Sequence, residues 1–218
     1  ITAVNPKLTF FKLHNILARQ TEFYGRPEPS LIHETAEIHP TAYVSETDVQ
    51  IGPNCIIGPG SVILPGSVLH NNVCIDANCT VGSDGMEYKR DGDGFMRVTH
   101  VGKAIIGDHV DVSSNTSIAR GLFEDTSIAE HTKVGSMARI GHGVHIGKRV
   151  LVGSKSIVGG STCIDDDVTI GVGAVLSNSI KVNKRAHILL GAVVVSNVKE
   201  NEKVGGNFAI DWQKFFRF

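Results

Sequence analysis

Two histidines in a glycine-rich stretch are the clearest candidates for acid–base chemistry in this sequence. His142 and His145 stand three residues apart in Ile140-Gly141-His142-Gly143-Val144-His145-Ile146. Imidazole titrates near neutral pH, so either side chain could take up or release a proton during a reaction. His142 could instead be a surface histidine on a turn. No pair of the four cysteines has the spacing of metal ligands, and the sequence predicts no metal site.

Arg120 is a second candidate, in Thr116-Ser117-Ile118-Ala119-Arg120-Gly121. The planar guanidinium group can hold a phosphate through two parallel hydrogen bonds. It could instead form a structural ion pair with Asp125. The sequence leaves both interpretations open.

A six-residue period of aliphatic side chains defines the elements that must position these groups. Neither a helix of 3.6 residues per turn nor a period-2 strand keeps such a register. A short fixed period is typical of a solenoid whose repeats stack on one another. In the longest run twelve consecutive positions are Ile, Val or Leu, namely Ile128, Val134, Ile140, Ile146, Val152, Val158, Ile164, Ile170, Leu176, Val182, Ile188 and Val194. The earlier runs are Ile32 to Val44, Ile51 to Val81 and Ile106 to Ile118.

These hexads predict an all-β fold, a parallel β-helix built as a three-sided prism. β-Branched residues suit its short flat strands, and glycine suits its tight corners because it tolerates positive φ. Three hexads make one coil, so the 24 hexads give eight coils. At ~4.8 Å per coil the prism would be roughly 40 Å long.

The ends and two interruptions complete the predicted organisation. We expect an N-terminal helix over 5–19, capped by Asn5 and opened by Pro6, and a short C-terminal helix from Asp211. Both are expected to cover the open ends of the prism. The domain boundaries are then 1–30 for the helix and connection, 31–200 for the β-helix, and 201–218 for the C-terminal segment. A long loop at 82–105 and a bulge at 119–125 interrupt the repeat and are expected to carry function.

Composition excludes several classes of function. The 21 basic and 22 acidic residues give a net charge of −1, and no stretch is strongly basic, which argues against nucleic-acid binding. No apolar run is long enough to cross a membrane, and no secretion signal is visible. The cysteine pattern is that of a reduced, cytoplasmic protein.

Four motifs in sequence order carry a resemblance to a known family. They are Asn5-Pro6-Lys7-Leu8-Thr9-Phe10, Gly82-Ser83-Asp84-Gly85-Met86-Glu87-Tyr88, the Arg120-Gly121 bulge with Asp125-Thr126, and Ile140-Gly141-His142-Gly143-Val144. In these the chain resembles the UDP-3-O-acylglucosamine N-acyltransferases and related nucleotide-sugar N-acyltransferases, from about residue 4 to residue 207. The resemblance implies a left-handed hexapeptide-repeat β-helix, a homotrimer with clefts between neighbouring prisms, and acyl transfer from a thioester to an amine.

The resemblance also assigns provisional roles. His142 would be the catalytic base, with His145 as its rival. Substrate contacts would come from Asp84, Gly85, Tyr88, Arg120, Ser136, His145 and Ser179. Glycines that could let a phosphopantetheine arm lie against the coils are Gly153, Gly159, Gly160, Gly171, Gly173 and Gly191; they could equally be corner residues without a ligand.

Several departures from the family pattern shape the functional expectation. Ala119 stands where the family has Asp, Gly135-Ser136 where it has Asp-Asn, and Ser179 where a second His is expected. From the ends of the sequence we expect a reduced form of the family's carrier-protein-binding C-terminal helix and no counterpart of its N-terminal nucleotide-binding domain. We therefore expect transfer of an acetyl or short acyl group from acyl-CoA to a nucleotide-diphosphate amino sugar in bacterial surface-polysaccharide synthesis.

Three alternatives remain beside that expectation. The first is lipid A synthesis with acyl carrier protein as donor, and the second is a non-catalytic scaffold. The third, a zinc enzyme of the γ-carbonic anhydrase type, needs three histidines with one pair spaced by five, which His142 and His145 do not provide.

Overall fold

The computed structural model describes residues 5–206. Helix α1 spans Pro6–Gln20, and Asn5 caps it by accepting a hydrogen bond from the Leu8 amide at 3.0 Å, as the sequence predicts. The predicted C-terminal helix from Asp211 lies outside the described residues. Among the described residues, no helix is long and apolar enough to cross a membrane.

The rest of the described chain consists of short strands separated by corners. The strands that precede the long loop are β1 (Leu31–Ile32), β2 (Glu37–Ile38), β3 (Tyr43–Val44), β4 (Val49–Ile51), β5 (Ile56–Ile57), β6 (Val62–Ile63), β7 (Ser67–Leu69), β8 (Cys74–Ile75) and β9 (Thr80–Ser83). The loop contains β10 (Tyr88–Asp91) and β11 (Gly94–Arg97). After it come β12 (Ala104–Ile106), β13 (Asp111–Val112), β14 (Ser117–Ala119), β15 (Thr126–Ile128), β16 (Lys133–Val134), β17 (Arg139–Ile140), β18 (His145–Ile146), β19 (Leu151–Val152), β20 (Ile157–Val158), β21 (Cys163–Ile164), β22 (Thr169–Ile170), β23 (Val175–Leu176), β24 (Lys181–Val182), β25 (His187–Ile188), β26 (Val193–Val194) and β27 (Lys203–Val204).

Three parallel sheets form the faces of the prism. The first face is ordered β1-β4-β7-β12-β15-β18-β21-β24, the second β2-β5-β8-β13-β16-β19-β22-β25-β27, and the third β3-β6-β9-β14-β17-β20-β23-β26. Successive strands of one face belong to successive coils. The predicted parallel β-helix is therefore confirmed, with eight complete coils. A partial ninth follows, in which Val198 bridges to Val182 and β27 pairs with β25.

The core is the stack of aliphatic residues that the period identifies. Ile63, Ile118 and Ile140 are fully buried, and one such side chain stands above the next in every face. The small residues four positions further along each hexad point inward as well, including Cys55 and Cys79. Burial of this continuous stripe is what orders strands that are only two to four residues long.

The corners use glycine for two reasons, and positive φ, the expected one, applies at positions such as Gly60, Gly143 and Gly173. Most positive-φ corner positions hold other residues, such as Asn54 (φ 56°) and Asn72 (φ 55°). Where a glycine directly follows the inward aliphatic residue, it is required by crowding from the next coil. At Gly171 an added Cβ would lie 2.4 Å from the amide nitrogen of Leu190.

Helix α1 does not cover the open end of the prism, so that expectation is wrong. It packs sideways on the inserted loop, where Asn15 donates to the Arg97 carbonyl and accepts from the Thr99 amide. Phe11 stacks on Phe123 of the bulge. A helix with buried aromatic and polar side chains needs a partner surface, and the loop supplies one.

Candidate active site

One edge of the prism collects both insertions and the histidine motif. Here the chain passes from the third face to the first, and the successive corners are residues 84–103, 120–125 and 141–144. We call this the loop edge. The first insertion is an ordered antiparallel hairpin of β10 and β11, which reaches past one coil to meet the 141–144 corner.

His142 sits on this corner between two closely approaching backbones. A Cβ added to Gly85 would lie 2.5 Å from the His142 Cδ2 atom, and one added to Gly160 would lie 2.9 Å from its Nε2 atom. The imidazole is thus held between the loop on one side and the next coil on the other. Its side chain keeps 21% exposure, enough to reach a ligand.

Glu87 faces the reactive edge of the imidazole. Its Oε2 atom lies 3.9 Å from His142 Nε2, too far for a direct hydrogen bond but close enough to stabilise a positive charge on the ring. The other Glu87 oxygen is held by Lys89, whose ammonium lies 4.5 Å from the ring centroid of Phe11. Helix α1 therefore contributes to the placement of Glu87 through Lys89.

His100 forms the inner wall of the site. Its buried ring packs edge-on against His142, with the ring centroids 5.4 Å apart. The Gly85 amide donates to His100 Nε2 at 3.1 Å, so the proton is on Nδ1, which donates to the Val98 carbonyl at 3.2 Å. Burial lowers the pKa of His100 and keeps it neutral, and the Asp84 carboxylate opposes the effect only in part.

Arg120 lies deeper along the same edge. Its Nε donates to the Gly102 carbonyl at 2.6 Å and its Nη2 to the Val101 carbonyl at 3.3 Å. Burial lowers the pKa of this guanidinium. Asp125 accepts from the Lys103 amide instead, so the ion pair considered from the sequence does not form among the described residues.

The structure brings some predicted contacts to His142 and leaves others apart. Gly85 touches His142, while Asp84 accepts from Arg97 at 3.0 Å and lies 4.0 Å from His100. Tyr88 opens β10 and is half-exposed. These three residues belong to the loop that covers the 141–144 corner.

Ser136, His145 and Ser179 lie further away in the fold. Ser136 is on the corner between the second and third faces, a different edge of the prism. His145 points outward from the first face, and its Nδ1 is 2.8 Å from the Ser127 hydroxyl. Ser179 is on the loop edge but two coils beyond Gly143, because its amide bonds to Gly160 and the Ser161 amide bonds to His142.

The six predicted glycines divide between two edges. Gly159 and Gly160 lie on the loop edge, and Gly160 lies directly beside His142. Gly153, Gly171, Gly173 and Gly191 lie where the second face passes to the third. Within one chain the structure therefore offers only the first pair to a ligand at His142.

Sequence reasoning missed two residues at the centre of the site and one further along the loop edge. Glu87 stands in the loop motif without a signal that marks it as functional, and His100 carries no local motif. Only the return of the loop onto the prism brings His100 to His142. Asn178 occupies the position equivalent to His142 two coils further on. Counting 18 residues per coil from His142 identifies it through Gly160. No group of three or more potential metal ligands occurs among the described residues.

Comparison with known proteins agrees with the repeat and the fold. The family model for bacterial transferase hexapeptide (six repeats) matches residues 48–83. UDP-3-O-acylglucosamine N-acyltransferase 2 of Legionella pneumophila (strain Lens) is 32% identical over 150 residues, which cover 67% of this chain and 44% of the relative. The enzyme of the same name from Agrobacterium fabrum (strain C58 / ATCC 33970) is 42% identical over 76 residues, covering 35% and 21%. The chain thus spans less than half the length of these curated relatives.

Among solved structures, UDP-N-acetylglucosamine acyltransferase from Campylobacter jejuni superposes with a TM-score of 0.68. The match covers 86% of this chain and 79% of that one, at 17% sequence identity. At that identity the likeness concerns the fold alone. The repeat and the three-sided prism show a hexapeptide-repeat β-helix, and the sequence of the chain is similar to the UDP-3-O-acylglucosamine N-acyltransferases.

Proposed function

We propose that the protein is an N-acyltransferase that moves an acyl group from a thioester to the amine of a nucleotide-linked amino sugar. The observation that carries the proposal is the His142 corner, where an inserted loop brings Glu87 and His100 to the imidazole on the edge of a hexapeptide-repeat prism. The relatives' names supply the reaction class.

The geometry supports a base-catalysed attack. The acceptor amine must be neutral to attack a thioester carbonyl, so a base has to remove a proton. The His142 side chain is partly exposed, and its Nε2 can take that proton and pass it to the thiolate that leaves as the amide bond forms and the C–S bond breaks. The Glu87 carboxylate at 3.9 Å then stabilises the imidazolium that forms. His100 stays neutral and adds no competing positive charge.

The acceptor and donor follow the relatives rather than the short-acyl expectation. UDP-3-O-acylglucosamine, the acceptor in the names of both curated relatives, is the acceptor we favour, which makes lipid A synthesis the leading pathway. The expectation of acetyl-CoA as donor depends on a short C-terminal segment. Since the chain spans only 44% of the first relative, the length of that segment no longer favours CoA, and acyl carrier protein becomes the favoured donor.

A thiol-release assay tests the reaction and the donor together. The protein is incubated with UDP-3-O-acylglucosamine or other nucleotide amino sugars, and with 3-hydroxyacyl carrier protein, acetyl-CoA or longer acyl-CoA. Release of thiol from the carrier protein, dependent on the acceptor and lost in His142→Ala, is the expected result. Transfer only from acetyl-CoA would restore the short-acyl interpretation. No release with any pair would leave the scaffold alternative.

We also propose a homotrimer in which the sites lie between prisms. Three outward side chains form an apolar column on the third face: Ile157 is 46% exposed, Val175 36% and Val193 59%. A contiguous apolar column on a soluble prism is best explained by contact with another copy. Sedimentation should give three times the chain mass, and Val175→Glu should shift it towards one. A wild-type monomer at micromolar concentration would contradict the proposal.

The location that we propose for this reaction is the cytoplasm. All four cysteines are free, and Cys55 and Cys79 are buried where a partner for a disulfide is not available. Burial raises the pKa of both thiols, which keeps them protonated and unreactive. Free thiols are usual in a reducing compartment.

A further inference from the structure

A cleft of ≈ 700 Å³ reaches His100, whose ring packs on His142, and no step of the proposed reaction uses this cleft. Its walls come from the connection after α1, from the second and third coils, and from the returning end of the inserted loop. Arg120 and Lys103 line it together with Tyr24 and His100. It is large enough for a small-molecule ligand.

Arg120 supplies this cleft with hydrogen-bond donors that have no partner. A guanidinium has five N–H groups, and the structure uses two of them, on the Gly102 and Val101 carbonyls. Within residues 5–206 no carboxylate lies within salt-bridge distance of Arg120 or of the Lys103 ammonium. Burial of Arg120 is unfavourable for its charge, and an anion in the cleft would compensate it.

The other charged groups near the cleft take this role only in part: the carboxylates of Asp84, Asp48 and Asp125 favour the charged guanidinium but do not outweigh its burial. Arg26 is paired with Glu22 at 2.6 Å, and Asp48 accepts the Glu28 amide at 3.0 Å. The Arg120 guanidinium packs closely on the backbone at Gly66, where an added Cβ would lie 2.7 Å from Arg120 Nη2. The Arg120 guanidinium is therefore held in one position, where it is available to a ligand.

Tyr24 offers an aromatic surface at the same cleft. Its side chain is 44% exposed, and its hydroxyl group lies 2.8 Å from His14 Nδ1, which fixes the ring. Pro27, Pro29 and Pro65 add rigid apolar walls. A fixed exposed ring beside unpaired cations suits a ligand with a planar base and phosphates.

We propose that this cleft binds a nucleoside diphosphate, with the phosphates on Arg120 and Lys103 and the base against Tyr24. His100 lines the cleft and also packs on His142, so the nucleotide end of a substrate would lie one side chain away from the reacting group. The assignment rests on the proposed function for its substrate class. Two sources of the same chemistry are the sugar nucleotide and the ADP portion of coenzyme A.

Isothermal titration of the full chain with UDP, pyrophosphate and coenzyme A tests the cleft without any turnover. Arg120→Gln should weaken UDP and pyrophosphate binding by about 10- to 100-fold. Lys103→Met, an exposed and structurally harmless change, should weaken both by about two- to fivefold. Tyr24→Leu should weaken UDP by about fivefold or more and leave pyrophosphate unchanged. The matched controls are Lys199→Met and Tyr43→Leu, which lie outside the cleft.

The outcomes separate this assignment from the proposed function. A ligand that binds the Lys103 and Tyr24 variants more weakly than the wild-type protein supports binding in the cleft. Comparison of UDP with coenzyme A then shows whether the cleft takes the sugar nucleotide or the ADP portion of coenzyme A. The assignment is overturned if UDP and coenzyme A bind the variants as tightly as they bind the wild-type protein. It is also overturned if neither ligand binds the wild-type protein, even if acyl transfer occurs. If the variants behave as expected but no donor and acceptor pair releases thiol, the proposed reaction fails and the cleft stands.

Discussion

Gly85→Ala tests whether the inserted loop places His142 for catalysis. The added Cβ would lie 2.5 Å from His142 Cδ2, 2.8 Å from His100 Nε2 and 2.9 Å from His142 Cβ. Ordinary contacts are about 3.5–4.0 Å, so the imidazole or the loop must move by about 1 Å. A misplacement of that size can cost about 100-fold in rate.

The overlap should affect activity more than stability. Overpacking one methyl group costs about 1–3 kcal/mol, and the loop lies outside the solenoid core, so we expect the low end of that range. Steady-state kinetics by thiol release should show kcat reduced by about 100-fold, with a melting temperature within a few degrees of wild type.

Gly94→Ala is the matched control in the same hairpin. The nearest atom to its added Cβ is the Asp91 carbonyl oxygen at 4.0 Å, so this variant should keep wild-type kcat. If a folded Gly85→Ala protein is as active as Gly94→Ala, the reacting group is not where the loop meets His142, and the site would have to be sought elsewhere.

Three further predictions concern the surroundings of the site and the core. Burial lowers the pKa of His100 in the folded protein, whereas in the unfolded chain this histidine takes up a proton below about pH 6.5. The folded state is therefore fully stable above that pH and loses stability as the pH falls below it. Chemical denaturation should show a steeper loss of unfolding free energy from pH 7 to pH 5 in wild type than in His100→Gln. Ser179 lies two coils, about 10 Å, from the 141–144 corner, so Ser179→Ala should change kcat by less than about tenfold in the thiol-release assay; a larger loss would place it in the reaction. Ile118 is 0% exposed, and Ile118→Ala should cost about 2–5 kcal/mol in urea unfolding, whereas Ile56→Ala, 47% exposed, should cost under about 1 kcal/mol; equal costs would contradict the inward stacking.

The repeat could be predicted because each hexad position has one physical role. An aliphatic residue such as Ile140 must point inward at every sixth position, so the period alone defines the faces and the number of coils. Local signals also identified the start of α1 at Asn5 and Pro6. Its docking could not be predicted, because the partner surface is made by Arg97 and Thr99, which are 82 and 84 residues away from Asn15.

The site was predictable only where it follows the repeat. His142 lies on a corner that the register defines. Glu87 and His100 reach it through a 20-residue insertion whose path has no period, and their role depends on how far that hairpin folds along the edge. For the same reason the ion pair between Arg120 and Asp125, plausible from their spacing, gives way to hydrogen bonds with the carbonyls of the returning loop.

The pH–rate profile of wild type against His142→Ala tests the central claim most directly. A base must be unprotonated, so wild-type kcat should fall as pH drops through about 6–7, the range in which imidazoles titrate. His142→Ala should lose about 10²–10⁴-fold in kcat with little change in substrate affinity, keep its fold, and lack that acidic limb. A variant with near-normal kcat and an unchanged profile would remove His142 from the mechanism. Catalysis would then depend on positioning alone, and His145 would be the next residue to test.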